Sequence, residues 1–370
     1  MRVTIVLPRM TETPSGGLRV QYENAGFLTA RGHLVTVVHP MSDFRRIGVR
    51  GTLRYGRLLL RHRQLGNDLV TWYRLSDGVR LVVVPYLAGW LLPAADATIL
   101  TAWQTAAATQ HPRKAAGRML QLVYDYEFWM AGNRDFRARM AAAFTREDVS
   151  LFSPSAAVTA MLREIGREPV ASTPPGIDPV AFGCDVPPEN RSPLVGFAMR
   201  SDPVKAMPVM LAACEQLHDA RPEVEIACFG SASAPLPGYI QAKGMLSDTA
   251  LREFYNRCQV FVVPSNYEGW GLPSVEAMAC GAALVTTANG GSDEFASHGI
   301  NSLVVPPGEP SAIAGAVLRL LEDVDLRMSL SDGGRRTAAV FTTSRAGTAL
   351  EDAILTAVDG AQTENASPIR

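Results

Sequence analysis

The chain has 370 residues, longer than one hydrophobic core usually grows, so its length favours two domains. Hydrophobic residues make up 47% and charged residues 19%, and no apolar run reaches the roughly 18 residues of a membrane span, which excludes an integral membrane protein. The net charge is −1, and the five cysteines lack CxxC or Cys/His spacing, so neither a disulfide framework nor a zinc site is predicted, and we expect the cysteines to be buried as small apolar residues. No apolar leader precedes the first strand, so we expect a cytoplasmic location.

The first residues predict a βαβ unit. A strand over 2–8, the loop "RMTETPSGG" (9–17) and an amphipathic helix precede a second strand over 34–40. This order places Gly16 and Gly17 at the strand-to-helix turn, at the mouth of a parallel sheet. Because the turn lacks the G-x-G-x-x-G pattern, the sequence argues against a hydride-transferring dehydrogenase.

The second half repeats this order of elements. The strand "LVGFAM" (194–199) leads into a polar loop through Lys205, then a helix and a strand that ends at Gly230. A second Rossmann-like domain is therefore predicted. Its further strands are expected near 258–263, 283–287 and 302–305, with helices starting near 273 and 311.

A proline-rich segment separates the two halves. "STPPGIDP" (172–179) holds three prolines and one glycine, a composition typical of an inter-domain linker. We therefore expect an N-terminal domain over 1–171 and a C-terminal domain over 172–344. A helix near 345–358 is expected to pack back on the first domain.

The stretch "NYEGWGLPSVEAMACG" (266–281) follows a predicted strand and turns into a helix. Pro273 suits the first helical position, where its missing N–H costs no hydrogen bond. The helix N-terminus presents free backbone N–H groups beside Gly271 and Leu272, and glycine lets a ligand approach the backbone closely. The stretch therefore predicts an anion-binding site.

Two glutamates flank this helix start. Glu276 lies one turn into the helix, where its carboxylate can accept hydrogen bonds from hydroxyls such as those of a ribose, and Glu268 lies on the preceding loop. Alternatively, Glu276 is only a capping acid of the first turn and Glu268 a solvated loop charge.

Two cationic residues lie in the loop that follows a strand of the same predicted domain. "AMRSDPVK" places Arg200 and Lys205 in the loop after 194–199, at the carboxyl end of the sheet. Arginine offers a fork of donors for phosphate oxygens and lysine a mobile point charge. Together with the anion-binding helix start, this pair indicates a diphosphate site.

Three segments of the second half resemble the donor domain of glycosyltransferase family 4, whose hallmark is Glu-x7-Glu. In chain order they are "VPSNYEGWGLPSVEAMACG", "LVTTANGGSDEF" and "GINSLVVPPGEPSAIAGAVLRLLED". "PSGGLRVQYENAGFLTARGHLVTVV" resembles that family's N-terminal unit and "PPGIDPVAF" its linker, so the resemblance covers nearly the whole chain. It implies a GT-B fold, an α/β architecture of two Rossmann-like domains facing across a cleft. It also implies retaining transfer of a sugar from a nucleotide diphosphate sugar, with no metal and no other cofactor.

The resemblance assigns roles by position. Glu276 would hold the ribose, Glu268 the transferring sugar and act in catalysis, and Arg200 with Lys205 the diphosphate. The cations can neutralise the leaving diphosphate, which fits the absence of a metal. The other implied donor-binding residues supply backbone amides or a closing loop: Gly271, Leu272, Gly16 and Gly17.

The first half departs from the family pattern in one strand. Many members place a histidine at the end of an N-terminal strand near the reacting sugar, whereas Asp125 of "LVYDYE" stands closest to that position here. "YDYE" with "TAWQTA" upstream resembles a subgroup of rhamnosyltransferases of bacterial surface-polysaccharide assembly, in which such a string occupies this strand. Asp125 is then a catalytic candidate, and Glu127 and Trp103 are acceptor-side candidates. Alternatively, the acids cap the next helix or are solvated at the strand end.

Residues 45–63 are rich in arginine and contain a run of leucines at 58–60. One interpretation is a solvated face, and the other is adsorption to an anionic membrane, with each cation adding up to roughly 1 kcal/mol near an acidic leaflet. We favour the membrane, which suits an acceptor carried on a lipid at the inner membrane face. Nucleic acid is the poorer partner because the positive charge is local and lacks interleaved aromatic residues.

The sequence thus predicts a glycosyltransferase of polysaccharide or glycolipid assembly that uses a nucleotide sugar. Two alternatives stay open: a catalytically silent subunit that binds a sugar nucleotide, and another enzyme on the same fold, such as a sugar-nucleotide epimerase or a hydrolase. The spacing of Glu268 and Glu276 along the chain does not give the carboxylate separation that a glycosidase would need.

Overall fold

The computed structural model describes residues 1–11, 13–42, 49–231 and 235–365. Contacts divide the chain into two compact units, of which the first contains Met1–Pro174 and the residues from Ala346 onward, and the second Pro175–Arg345. Each unit is built on one sheet whose described strands pair in parallel. Among the described residues, no helix is both long and apolar enough to cross a lipid bilayer.

The sheet of the first unit has seven strands in the order β3-β2-β1-β4-β5-β6-β7. The strands are β1 (Arg2–Val6), β2 (Leu34–Ser42), β3 (Arg80–Tyr86), β4 (Ala97–Leu100), β5 (Arg118–Leu122), β6 (Val149–Ser153) and β7 (Ala171–Ser172). The helices are α1 (Gly16–Ala30), α2 (Val49–Leu65), α3 (Trp103–Ala108), α4 (Tyr126–Ala131), α5 (Arg134–Phe144) and α6 (Ala156–Glu164).

Both faces of this sheet are covered. Successive side chains of a strand point to opposite faces of the sheet. In β1, Ile5 belongs to one buried apolar cluster and the next residue, Val6, belongs to a second one. Parallel strands buried on both faces read as continuous apolar runs rather than alternating ones, as "VTIVL" does.

The second unit has six strands in the order β10-β9-β8-β11-β12-β13. They are β8 (Leu194–Met199), β9 (Glu225–Gly230), β10 (Ile240–Ala242), β11 (Val260–Val263), β12 (Ala283–Thr287) and β13 (Ser302–Val305). The helices are α7 (Met207–Ala220), α8 (Asp248–Arg257), α9 (Leu272–Ala279), α10 (Pro310–Glu322) and α11 (Val324–Ala338). The strands predicted over 194–199, 283–287 and 302–305 are confirmed.

The last helix, α12 (Thr343–Asn365), is longer than the predicted 345–358 and joins the first unit from Ala346 onward. Its apolar residues Leu350 and Ile354 enter the same core cluster as Leu18 of α1. Glu351 accepts a hydrogen bond from the guanidinium of Arg31 at 2.9 Å, and one carboxylate oxygen lies 2.8 Å from Nε2 of His33. These partners hold the pKa of the Glu351 carboxyl below its usual range.

Four local predictions are wrong. The glycines expected in a loop, Gly16 and Gly17, are the first two residues of α1, and the helix expected to start at Pro273 starts one residue earlier. Strand β5 ends at Leu122, so the string "YDYE" lies beyond the strand and runs into α4. Of the cysteines, all expected to be buried, Cys184 is partly exposed.

Candidate functional site

The strand order of the second unit reverses between β8 and β11. Strand β8 pairs with β9 on one side and with β11 on the other, and the chain crosses the sheet between them. Loops that leave two such strands diverge and open a crevice at the carboxyl edge of a parallel sheet, where ligands bind. The loop after β8 carries Arg200 and Lys205, and the loop after β11 carries Glu268 and Gly271.

At this edge, Lys205 and Glu268 form an ion pair. The Nζ atom of Lys205 lies 2.9 Å from Oε2 of Glu268, and their side chains are 19% and 11% exposed. The hydroxyl of Ser265 donates to the other carboxylate oxygen, Oε1, at 2.6 Å. The interpretation of Glu268 as a solvated loop charge is therefore wrong, because its carboxylate is buried and both oxygens accept hydrogen bonds.

The backbone fixes both loops. Ala206 adopts left-handed dihedrals, φ 52° and ψ 40°, at the N-cap of α7, directly after Lys205. The backbone N–H of Asn266 donates to the carbonyl of Val204 at 2.8 Å, and this bond joins the loop after β11 to the loop after β8. The geometry that brings Lys205 to Glu268 is thus held by main-chain contacts as well as by the ion pair.

A glycine in the loop after the neighbouring strand, β12, packs against the loop of Glu268. A Cβ atom on Gly291 would lie 2.6 Å from the backbone N and O of Trp270 and 2.7 Å from the carbonyl oxygen of Glu268. Three backbone atoms at such distances leave no room for a side chain. The second glycine of "ANGGSDEF" is therefore required by close packing of two backbone segments.

Helix α9 begins at a left-handed glycine. Gly271 has φ 109° and ψ 51° and stands at the N-cap, immediately before Leu272. The buried hydroxyl of Ser274 and the buried indole N–H of Trp270 find no hydrogen-bond partner among the described residues. Two buried polar groups without partners beside the positive end of a helix dipole form an environment that suits an anionic or hydroxylated ligand.

Glu276 lies on the fifth residue of α9 and is 4% exposed. Its Oε2 atom accepts a hydrogen bond from the hydroxyl of Tyr255, on α8, at 2.9 Å. The alternative that Glu276 caps the first turn of its own helix is wrong, because the residue lies beyond that turn and its carboxylate is held by another helix.

Arg200 differs from its predicted partner Lys205. Its side chain is exposed and forms no hydrogen bond or ion pair with any residue in the described ranges. The structure therefore brings together Lys205, Glu268 and Ser265, and leaves Arg200 at the rim of the same edge.

In the first unit, the structure brings Asp125 and Trp103 together. Strands β4 and β5 are neighbours, so the segments that follow them meet at one edge of the sheet. Oδ2 of Asp125 accepts a hydrogen bond from the backbone N–H of Trp103, the first residue of α3, at 2.8 Å. Asp125 thus accepts a hydrogen bond from a free N–H group at the start of α3, and it makes no capping hydrogen bond to its own helix α4.

Burial changes the acidity of Asp125. The residue is 4% exposed, and burial raises the pKa of its carboxyl to about 7, against the opposing effect of the Trp103 hydrogen bond. The indole of Trp103 packs edge-on against Phe136 at 5.4 Å between ring centroids, and Glu127 lies partly exposed in the first turn of α4. Asp125 is therefore an acid that can change protonation near neutral pH.

Gly16 and Gly17 are the first residues of α1, which follows β1. The strand order of the first sheet reverses between β1 and β4. Gly17 is exposed, and a Cβ atom there would meet no described atom within 4 Å. The packing of the described residues therefore does not require glycine at position 17.

Sequence reasoning missed Ser265 and Tyr255. Ser265 follows β11 closely and precedes Glu268 by three residues, a signal that could have identified it. Tyr255 gave no signal, because its contact with Glu276 spans 21 residues and joins two helices. Among the described residues, no group of three His, Cys, Asp or Glu side chains could hold a metal ion.

Comparison with known proteins finds a family model that matches most of the second unit. Residues 185–337 match the family model of glycosyl transferases group 1. A D-inositol 3-phosphate glycosyltransferase of Thermobispora bispora is 30% identical over 168 residues, which cover 39% of each chain. The chain covers half or less of the length of the D-inositol 3-phosphate glycosyltransferases that it matches.

Solved structures match over nearly the whole chain. Sucrose-phosphate synthase from Thermosynechococcus elongatus has a TM-score of 0.70 at 16% identity, over 99% of this chain and 100% of that one. HepE of Anabaena, solved in complex with UDP and glucose, has a TM-score of 0.72 at 15% identity, over 96% and 100%. At such identities the likeness shows the fold. The whole chain has the GT-B fold, and its residues 185–337 are similar to the group 1 glycosyltransferases, whose family model they match.

Proposed function

We propose that the chain is a glycosyltransferase that moves a sugar from a nucleotide diphosphate sugar to an acceptor hydroxyl, with retention at the anomeric carbon and without a metal. The observation that carries the proposal is the Lys205–Glu268 ion pair at the strand-order reversal of the family-matched unit. A cation and an acid at this edge suit a ligand with an anionic end and a hydroxylated end.

The donor roles follow from the chemistry of each group. The start of α9, with the amides at Gly271 and Leu272, receives the diphosphate, and Lys205 with the exposed Arg200 neutralises it. The carboxylate of Glu276 accepts hydrogen bonds from the ribose hydroxyls, and that of Glu268 from the hydroxyls of the transferring sugar.

In the transfer step, the bond between the anomeric carbon and the diphosphate oxygen breaks, and its electron pair stays on the diphosphate. Lys205 and the helix start stabilise the charge that develops there. The acceptor oxygen bonds to the same carbon on the face that the diphosphate leaves, and its proton passes to the departing diphosphate oxygen. Asp125 is our second catalytic candidate, because a carboxyl with a pKa of about 7 is present in both protonation states at neutral pH.

The donor and acceptor are proposed by class. HepE was solved with UDP and glucose, so UDP-glucose is the first donor to test. We propose a saccharide or lipid-linked acceptor of polysaccharide or glycolipid assembly, and the rhamnosyltransferase resemblance adds dTDP-rhamnose to the donors. Gly16 and Gly17 would let a donor or acceptor approach the start of α1 closely.

A thermal-shift screen with UDP, GDP, dTDP and ADP, each with and without its sugar, tests the donor class. Binding to the folded state raises the melting temperature, by RT ln(1 + [L]/Kd) in free energy. Proton NMR of the product tests retention, and turnover in EDTA tests metal independence. An inverted anomeric centre overturns retention, and absence of binding by every nucleotide overturns the donor site.

A second proposal concerns α2, which combines exposed apolar and basic side chains. Leu53 and Leu60 are 66% and 60% exposed, and Arg57 and Arg61 are exposed on the same helical stripe. Arg45 and Arg46 of the predicted basic stretch lie outside the described residues. We propose that this stripe adsorbs to anionic lipid, placing the enzyme at the inner membrane face. Flotation with phosphatidylglycerol vesicles should retain the protein and phosphatidylcholine vesicles should not; equal recovery with both overturns the proposal.

A further inference from the structure

We propose that Tyr255 is a positioning residue for nucleoside binding: its hydroxyl orients the carboxylate of Glu276 toward the ribose hydroxyls of the donor. The inference rests on the proposed function, in which Glu276 holds the ribose. It adds a residue on a different helix, which makes the Glu276 carboxylate selective for a nucleotide that carries both the 2′- and the 3′-hydroxyl.

The contact joins two buried groups. The phenol oxygen of Tyr255 lies 2.9 Å from Oε2 of Glu276, and the two residues are 0% and 4% exposed. The phenol donates and the carboxylate oxygen of Glu276 accepts. The bond fixes one of the two carboxylate oxygens, and thereby the rotation of the whole group.

The ring that carries this hydroxyl is immobilised. Phenylalanine rings contact it edge-on, with centroids 5.0 Å away for Phe261, 5.8 Å for Phe229 and 6.1 Å for Phe182. Edge-to-face aromatic contacts hold a ring in one orientation. The position of the Tyr255 hydroxyl is therefore set by the core and not by rotation of the side chain.

The two helices are also tied together at their ends. The guanidinium of Arg191, 6% exposed, donates to the carbonyl of Cys258 at 2.8 Å and to that of Cys280 at 2.6 Å. Cys258 caps α8 and Cys280 caps α9, so one cation lies at the negative ends of both helix dipoles. Tyr255 and Glu276 are thus carried on helices with a common anchor.

A carboxylate held in one orientation accepts two neighbouring hydroxyls with little further loss of rotational freedom. Without the phenol, the carboxylate of Glu276 loses the donor that holds its Oε2 atom. Tyr255→Phe should therefore weaken binding of nucleotides that carry the 2′- and 3′-hydroxyls, and leave binding of nucleotides that lack them unchanged.

The experiment compares UDP, GDP and ADP with their 2′,3′-dideoxy analogues by titration calorimetry on the full chain. We expect the wild type to bind the complete nucleotide at least about 10-fold more tightly than its analogue, the range of hydrogen bonds to a charged group. In Tyr255→Phe this preference should fall to about 2-fold, with the affinity for the analogue unchanged. Tyr55→Phe, which removes a hydroxyl that donates to Val83 in the first unit, is the matched control and should keep the preference.

The outcomes separate the two proposals. If Tyr255→Phe weakens both nucleotides equally, or keeps the full preference, Tyr255 does not orient Glu276 and the inference is overturned. If the wild type itself shows no preference, the ribose role of Glu276 fails first. Tyr255→4-aminophenylalanine keeps a donor at this position and should restore the preference; it also serves as the test should the phenylalanine variant not fold.

Discussion

The ammonium group of Lys205 and the carboxylate of Glu268 lie 2.9 Å apart although 63 residues separate them in the chain. We assign Lys205 to the diphosphate of a donor and Glu268 to the sugar next to it, and the two side chains are each other's partners across the strand-order reversal. On these proposed roles, donor binding exchanges partners: the diphosphate takes the cation and a sugar hydroxyl takes the acid.

Lys205→Ala should weaken binding of a nucleoside diphosphate and destabilise the protein by about 2 kcal/mol, because it leaves the largely buried carboxylate of Glu268 without its cation. Calorimetry and thermal unfolding measure the two effects. Arg200→Ala is the control, since its exposed side chain pairs with no described residue; it should reduce nucleotide affinity without lowering the melting temperature. Equal stability losses in both variants would contradict the role of the ion pair.

Glu268→Ala should lower turnover by about 100-fold or more while the affinity for the nucleoside diphosphate stays unchanged or rises, because the carboxylate acts on the sugar and its removal releases Lys205. Steady-state kinetics and nucleotide titration separate the two quantities. Ser265→Ala, which removes one hydrogen bond to the same carboxylate, should cause a smaller loss. A fall in nucleotide affinity that matches the fall in turnover would argue that Glu268 binds the whole donor.

Asp125→Asn should become more stable relative to the wild type as the pH rises from about 4 to 7. Burial raises the pKa of the carboxyl from its ordinary 3.8 to about 7, so the folded state holds the proton more tightly than the unfolded chain. The stability from the protonated group is complete below pH 4 and is lost as the pH rises through 7, on the order of a few kcal/mol. The amide cannot ionise and still offers an oxygen to the Trp103 N–H.

Urea unfolding followed by tryptophan fluorescence measures this difference, since four of the five tryptophans lie in the first unit. If Asp125 acts in catalysis, the turnover of the wild type should change with pH near 7, and that of Asp125→Asn should not. Parallel stability curves for both proteins between pH 4.5 and 7.5 would show that Asp125 keeps an ordinary acidity.

Ala206→Gly should stabilise the protein by about 0.5 kcal/mol, because the left-handed backbone at this residue, φ 52°, strains an alanine and not a glycine. The gain is smaller than the strain itself, since glycine also loses more freedom on folding. Differential scanning calorimetry measures the change. A lower melting temperature would show that the alanine methyl, buried at 3% exposure, contributes more by packing than the strain costs.

Gly291→Ala should destabilise the protein by about 2 kcal/mol or more and displace Glu268, because its Cβ atom would lie within 2.7 Å of three backbone atoms of the loop at residues 268–270. Turnover should fall along with stability. Gly315→Ala, in α10, is the matched control: no atom in the described part of the chain lies within 4 Å of its Cβ position, so helix propensity alone should raise stability by about 1 kcal/mol. Equal responses of the two variants would contradict the close packing.

The sequence alone determined the class of fold and most of the residues that meet at the candidate donor site. Continuous apolar runs separated by amphipathic segments predict parallel sheets, and the strands over 194–199 and 283–287 lie where the pattern places them. The glycine at 271 was found because a helix entry that binds anions needs glycine and proline, and the acids at 268 and 276 because their spacing along the chain matches Glu-x7-Glu; both are local properties of the chain.

Only the tertiary structure decided which groups are partners. The pairing of Lys205 with Glu268 depends on the adjacency of β8 and β11, and that of Tyr255 with Glu276 on the packing of α8 against α9. The acidity of Asp125 likewise depends on burial and on the hydrogen bond from Trp103, 22 residues away in the chain. Burial, desolvation and long-range hydrogen bonds arise from neighbours that the chain brings together only on folding, so no local pattern of residues reveals them.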